Sequence, residues 1–203
     1  FKDYGIVTEY FFYDLFDEKS FTQQANKIAA LEPNGVVLAP LFLKESKVFT
    51  EKLRQKNIPY IFIDADIPGG QSLSYIGPDV KQSAYIAGRL LNSVLPEKAE
   101  MLIVNMVKGF ENASALRRME EGFRGFFRES GLEQNRTIHS LTIHSTQKEE
   151  VFRELTKFYI KNAAIKGVFV TNSKAFMAAE FHRHHDLDIR LVGYDLVPDN
   201  IEH

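Results

Sequence analysis

Three apolar runs in this chain have the composition of buried strands, and each run ends at a polar residue. The runs and the residues that follow them are 58–63 before Asp64, 167–171 before Asn172, and 189–194 before Asp195. In a parallel α/β sheet, small molecules bind just beyond the carboxyl ends of the strands. The repeated pattern therefore predicts a fold that holds a ligand at its strand ends rather than one that transforms it.

The composition is typical of a globular chain, long enough for one domain or two smaller lobes. Of its 203 residues, 44% are hydrophobic and 26% are charged, and none is cysteine, which excludes disulfides and thiolate chemistry. A formal charge of −2, with acidic and basic residues interspersed, gives no strong electrostatic footprint for nucleic acid. No apolar run approaches the roughly 20 residues that span a bilayer, so no membrane association is predicted.

Strand and helix patterns alternate along the whole chain. Strands are predicted at 5–12, 36–39, 58–63, 73–77, 101–107, 137–143, 167–171 and 189–194. Apolar residues at helical spacing lie between most of these strands, an alternation typical of parallel sheets with helices on both faces. The weakest patterning lies at 76–79, which predicts a boundary between an N-terminal lobe, 1–77, and a C-terminal lobe, 78–203.

Five motifs, in order along nearly the whole chain, carry a resemblance to a known family. They are IPYIFIDADIPG (58–69), YIGPDVKQSAYIAGRLL (75–91), RRMEEGFRGFF (117–127), VFVTNSKAFMAAE (168–180) and LVGYDLVPDN (191–200). The chain resembles the effector-binding region of the LacI/GalR transcriptional regulators, which shares its fold with the type I periplasmic sugar-binding proteins. The resemblance implies an α/β fold of two Rossmann-like lobes with parallel sheets, here truncated at both ends and lacking its first strand.

The resemblance also implies a function and a set of partners. In the family, the two lobes close on a small, sugar-like effector in the cleft between them, and a separate helix-turn-helix domain binds operator DNA. That domain is absent from this chain. The intact protein is accordingly expected to be a cytoplasmic homodimer that contacts DNA only through the missing domain.

Four polar residues match the ligand-binding pattern of the family by position. They are Asp64, Asp79, Asn172 and Asp195. A sugar presents hydroxyls that both donate and accept hydrogen bonds, and carboxylates and carboxamides bind such groups in pairs. The residues beside three of the four depart from the family pattern, so the identity of the ligand stays open.

Two further side chains complete the predicted ligand-binding site. The sugar-binding arginine of the family aligns with Met119, and the adjacent Arg118 supplies a guanidinium if the helix phase shifts by one residue. Phe110 lies on the loop after the strand at 101–107, where an aromatic ring can stack on the apolar face of a sugar.

Several of these residues also have a purely structural interpretation. An Asp or Asn after a strand often forms a turn or caps a helix. Asp79 is placed to cap the helix that follows it, and Asn172 is placed to tie its own turn. A charged residue such as Arg118 is most often solvated on an exposed helical face.

Metal, cofactor and enzyme functions have little support in the sequence. The spacing of His182, His184 and His185 does not put three ligands on one helical face, so no metal site is predicted. Neither a phosphate-binding loop nor a dinucleotide-binding motif is present, so no cofactor is predicted. Nothing pairs a nucleophile with a base, which argues against an enzyme.

Two functions of the same fold therefore remain open. The leading one is the effector-sensing domain of a LacI/GalR-type regulator that binds a sugar or a similar small metabolite. The alternative is an extracytoplasmic sugar-binding protein or sensor domain. The residues that precede this sequence distinguish them, because a helix-turn-helix points to the regulator and a signal peptide to the binding protein.

Overall fold

The computed structural model describes residues 5–14, 17–67, 69–107 and 113–202. The chain divides into two units, Phe1–Pro78 and Asp79–His203, and each has its own parallel sheet. This confirms the predicted α/β fold with parallel sheets in two sets. None of the described helices combines the length and apolar character that crossing a membrane requires.

The first unit is a three-stranded parallel sheet with two helices. Its elements are α1 (Glu18–Leu31), β1 (Val36–Leu38), α2 (Leu43–Gln55), β2 (Tyr60–Ile63) and β3 (Tyr75–Ile76). The strand order is β1-β2-β3, and Leu38 pairs with Phe62 in register. Side chains of paired residues share a face, so Leu38 and Phe62 are buried together against Phe21 of α1 and Phe49 of α2.

Both helices of the first unit pack on the same face of its sheet, which corrects the prediction of helices on both sides. The residues that alternate with the buried ones point to the other face. Val37 is 63% exposed and Ile76 is 60% exposed, and no described helix covers them. The sequence pattern was misleading because an apolar residue in a strand indicates a face suited to burial, not which element buries it.

The strand predicted at 5–12 is also absent, which is a second correction. Residues 5–14 form no strand, and Val7 is 93% exposed. A strand needs a neighbour for its backbone hydrogen bonds, and no described strand pairs with this segment. Tyr13 instead anchors it, because its hydroxyl donates to the Ala39 carbonyl at 2.8 Å and its ring meets Phe21 edge-on.

The second unit is a four-stranded parallel sheet with helices on both faces, as the alternation predicted. Its elements are α3 (Val80–Val94), β4 (Glu100–Met106), α4 (Ala113–Glu129), β5 (Ile138–Ile143), α5 (Lys148–Lys161), β6 (Ile165–Val170), α6 (Ala175–His184), β7 (Arg190–Val192) and α7 (Pro198–Glu202). The strand order is β5-β4-β6-β7. Ile103 of β4 packs with α3 and α4, whereas its neighbours Leu102 and Val104 pack with α5 and α6.

The contact between α3 and α4 depends on a glycine. A Cβ added at Gly122 of α4 would lie 2.0 Å from the carbonyl oxygen of Lys81, in the first turn of α3. At Gly125, one turn later, the nearest atom would be 3.9 Å away, an ordinary contact. The backbones of the two helices therefore approach closely at Gly122 and leave room at Gly125.

Replacing these two glycines should have opposite effects on stability. Gly122→Ala should lower the free energy of unfolding by about 1–3 kcal/mol, because the methyl group pushes the helices apart. Gly125→Ala should raise it by roughly 0.5–1 kcal/mol, because alanine favours the helix. Urea unfolding of both variants measures the difference, and equal effects would show that the close approach at Gly122 is not required.

A buried histidine links α5 and α6. The His182 ring is 5% exposed, and its Nε2 lies 2.7 Å from the hydroxyl of Tyr159. Burial, with a smaller contribution from the nearby His185, lowers the pKa of His182 to about 4. Burial likewise raises the pKa of Tyr159, so the pair is neutral at physiological pH.

The free energy of unfolding should therefore decrease as the pH is lowered from about 6.5 to about 4. Unfolded His182 takes up a proton near pH 6.5, whereas the folded ring does so only near pH 4. Between these values the unfolded state binds more protons, so unfolding becomes easier by up to about 3 kcal/mol as the pH falls. His182→Gln, which keeps a polar partner for Tyr159, should flatten this part of the profile in urea titrations. Exposed His184→Gln is the control, and the same slope in both variants would exclude His182 as the source.

Candidate ligand-binding site

Asp64 follows β2 at the carboxyl end of the first sheet and has an unusual backbone. Its φ is +65°, in the left-handed region that non-glycine residues seldom adopt, although Asp tolerates it better than most. The backbone is held on both sides, since the Asp64 amide donates to the Ile76 carbonyl, and the Asp64 carbonyl shares the Tyr75 hydroxyl proton with the carbonyl of Pro78. Within the described residues, no hydrogen bond or ion pair involves its exposed carboxylate.

Asp195 repeats this arrangement in the second unit. It follows β7 by three residues, its φ is +66°, and its side chain is exposed. Its carboxylate likewise makes no hydrogen bond or ion pair with the described residues, and it borders a cavity of about 520 Å³ beside α6. Strained backbone in an exposed polar residue often marks a functional position. Among the described residues, each unit thus presents an exposed carboxylate on a left-handed backbone after a strand.

The turn that carries Asp195 packs tightly on the core. The Tyr194 ring meets Phe169 of β6 at 5.8 Å, and burial raises the pKa of its phenol. A Cβ added at Gly193 would lie 2.2 Å from the Cβ of Ala175, the first residue of α6. The turn therefore approaches α6 more closely than any residue but glycine permits.

Asn200 of α7 also holds this turn, and the sequence analysis did not single it out. Its Oδ1 accepts from the amide of Phe176 at 2.9 Å, and its Nδ2 donates to the carbonyls of Tyr194 and Asp195 at 2.7 and 3.0 Å. Such long-range bonds from a side-chain amide to backbone leave no periodic signal in a sequence. Its place at the end of the motif LVGYDLVPDN was the one available hint.

Asn172 has a structural role at the end of β6. Its Oδ1 accepts from the amide of Lys174 at 3.1 Å, and its Nδ2 donates to the carbonyl of Met106 at 2.5 Å. Asn172 thus ties the end of β6 to the end of β4 and starts α6. The structure confirms that Asn172 ties its own turn. Contact between a ligand and the hydrogen-bonding positions of Asn172 that these bonds leave free stays a prediction.

Asp79 is the N-cap of α3. Its Oδ1 accepts from the amides of Lys81 and Gln82 at 3.1 and 3.0 Å, which satisfies two donors that the helix start leaves unpaired. The other carboxylate oxygen is not used in the cap. Contact between Asp79 and a ligand therefore also stays a prediction.

Arg118 lies on α4, half-buried, instead of on a fully solvated face. Its Nε is buried and has no hydrogen-bond acceptor among the described residues. It precedes Gly122 by about one helical turn, and Gly122 meets the first turn of α3. Arg118 therefore lies about one turn before the point where α4 meets the first turn of α3. Phe110 lies outside the described residues.

The exposed carboxylates can accept hydrogen bonds, and the guanidinium of Arg118 can donate them, which suits a ligand rich in hydroxyls. No group of three or more His, Cys, Asp or Glu residues in the described ranges is arranged to hold a metal ion. His182 is bound to Tyr159, whereas His184 is exposed.

Solved structures share this fold. A protein from Bacteroides fragilis assigned as a LacI transcriptional regulator is 28% identical, with a TM-score of 0.85, over 99% of this chain and 70% of its own. The glucose-galactose binding protein GanP of Geobacillus stearothermophilus is 20% identical, with a TM-score of 0.77, over 92% of this chain and 65% of its own. A solute-binding protein of Actinobacillus succinogenes with bound D-allose is 18% identical, with a TM-score of 0.73, over 91% and 66%.

This chain thus spans 65–70% of the length of these three structures. No curated protein matches its sequence. The family described as the periplasmic binding protein domain matches residues 1–203. The chain therefore belongs to the periplasmic binding protein domain family.

Proposed function

We propose that this chain is the effector-sensing domain of a LacI/GalR-type transcriptional regulator that binds a sugar or a similar small metabolite. The observation that carries the binding role is the pair of uncommitted carboxylates, Asp64 and Asp195, each on a left-handed backbone after a strand. Support for the regulator role comes from the similarity to the Bacteroides fragilis protein, at 28% identity and a TM-score of 0.85.

In this proposal, recognition depends on hydrogen bonds to sugar hydroxyls. Asp64 and Asp195 accept from hydroxyls, and the unpaired Nε of Arg118 donates to one. Asp79 and Asn172 contribute the polar atoms that their structural bonds leave free, and Phe110 stacks on the sugar ring. A hydroxyl that finds no partner leaves a buried group unpaired, which would give the site its selectivity.

The remaining parts of the proposal concern partners. Operator DNA is bound by a separate helix-turn-helix domain, and the intact protein acts as a cytoplasmic homodimer. The role is binding and not catalysis, in line with the sugar-binding and regulatory descriptions of the similar structures. Ligand binding controls the DNA-binding domain through the different contacts that the ligand makes in the open and closed states.

A sugar-binding protein or sensor domain outside the cytoplasm is the second candidate. GanP and the D-allose-bound protein share the fold with TM-scores of 0.77 and 0.73, which favours sugar binding as such. Both candidates use the same strand ends. They differ in whether the full polypeptide recognises DNA.

Removing either carboxylate should weaken sugar binding. Asp64→Ala and Asp195→Ala, each in the full polypeptide, should lower affinity by roughly 10- to 150-fold, the effect of losing a charged hydrogen bond of about 1.5–3 kcal/mol. Calorimetric titration with D-glucose, D-galactose and D-allose measures the change.

Asp186→Ala is the matched control for these variants. Asp186 is also exposed with a left-handed φ of +52°, but it follows helix α6 and not a strand. Its replacement has the same backbone cost and should leave affinity unchanged. Unchanged affinity in both Asp64→Ala and Asp195→Ala would show that these residues only form turns.

DNA recognition should require more than this chain. Residues 1–203 carry a net charge of −2 and should not retard the protein's own promoter in a gel-shift experiment, because specific binding needs a basic reading element. The full polypeptide should retard it. Retardation by residues 1–203 alone would contradict the proposal, and failure of the full polypeptide would favour the second candidate.

A further inference from the structure

We infer that Asn200 is a positioning residue for ligand binding, because it fixes the turn that presents Asp195. The inference has two parts. That Asn200 holds Asp195 in its left-handed conformation is a statement about the turn alone, whereas its effect on sugar affinity rests on the proposed function. The hydrogen bonds of the Asn200 side chain with the described residues all go to backbone atoms, two of them on the turn, so we assign it a role that acts through Asp195.

The amide of Asn200 uses both of its ends. The oxygen accepts from Phe176 in the first turn of α6, and the nitrogen donates to two consecutive carbonyls, those of Tyr194 and Asp195. One side chain thereby connects α7, to which it belongs, both with α6 and with the turn that follows β7. A short helix of five residues is in this way tied to the core of the second unit.

The turn needs a stabilising interaction on the C-terminal side of Asp195. Before Asp195, the Tyr194 ring is packed on Phe169, which fixes that end. After it, Leu196 is 90% exposed and adds no packing. A left-handed conformation at a non-glycine residue is costly and persists only where its surroundings determine it. The bond to the Asp195 carbonyl supplies that determination.

The first unit uses the same device at Asp64. There the Tyr75 hydroxyl shares its one proton between the carbonyl of Asp64 at 3.2 Å and that of Pro78 at 3.1 Å, much as the Nδ2 of Asn200 donates to the carbonyl of Asp195 at 3.0 Å. In both units, a side-chain donor from a later segment holds the carbonyl of a left-handed Asp whose carboxylate is exposed. The parallel indicates that a hydrogen bond to the backbone carbonyl helps to keep the carboxylate of the same aspartate exposed.

Asn200 also satisfies a backbone donor of α6, and this second role must be separated from the first. The N-cap position of α6, Lys174, makes no side-chain capping bond, so the amide of Phe176 depends on Asn200. Asn200→Asp keeps an acceptor for that amide and places a negative charge near a helix N-terminus, which is favourable. It removes both donor bonds to the turn, so it isolates the positioning role.

The test is Asn200→Asp in the full polypeptide, with its crystal structure and its sugar affinity compared with the parent. We expect Asp195 to leave its left-handed conformation. We also expect affinity for the tightest binder among D-glucose, D-galactose and D-allose to fall about tenfold, as for one lost hydrogen bond. In the Asp195→Ala background the same change should have no further effect, because the two residues act as a unit.

The matched control is Asn162→Asp at the end of α5. It also loses an Nδ2 donor bond to a backbone carbonyl, that of Phe158 at 2.9 Å, and should leave sugar affinity unchanged. Asp195 that keeps φ near +66° in Asn200→Asp would overturn the inference, and so would additive losses in the double variant. If the parent binds none of the three sugars, these sugars are excluded as its ligands, and this result is separate from the inference. The conformation of Asp195 then decides the inference.

Discussion

Parallel pairing of β4 with its neighbours is the constraint on which the second unit depends. β4 pairs with β5 on one side and β6 on the other, and its residues from Met101 to Met106 are all buried. Because the strands run parallel, all their carboxyl ends lie at one edge. The bond from Asn172 to the Met106 carbonyl and the close approach of Gly193 to Ala175 both depend on that edge. The arrangement of the strand ends in this unit follows from it.

The left-handed backbones of Asp64 and Asp195 distinguish these two aspartates from the helix-capping Asp79. A carboxylate on a relaxed turn would be drawn into a cap, as Asp79 is at the start of α3. Asp64 and Asp195 instead have left-handed backbones held by Tyr75 and Asn200, and their carboxylates stay uncommitted. The difference between the capping and the uncommitted aspartates lies in the backbone, which a residue type alone does not reveal.

The sequence was sufficient for the fold class and for the strand ends because both depend on local patterns. Apolar runs ending at Asp64, Asn172 and Asp195 mark strands, and five ordered motifs carry the family resemblance. The sequence was insufficient where long-range pairing decides the outcome. Residues 5–12 have strand composition, but no described strand pairs with them, and the helices described in the first unit all pack on one face of its sheet. The role of Asn200 depends on three backbone groups, which only the folded chain brings together.

The central claim is that the carboxylates of Asp64 and Asp195 bind a sugar. A crystal structure of the full polypeptide grown with D-glucose, D-galactose or D-allose tests this most directly. The account predicts a carboxylate oxygen of each aspartate at about 2.5–3.0 Å from a sugar hydroxyl, with both residues keeping their left-handed backbones. A sugar bound elsewhere, with both carboxylates left in solvent, would contradict it.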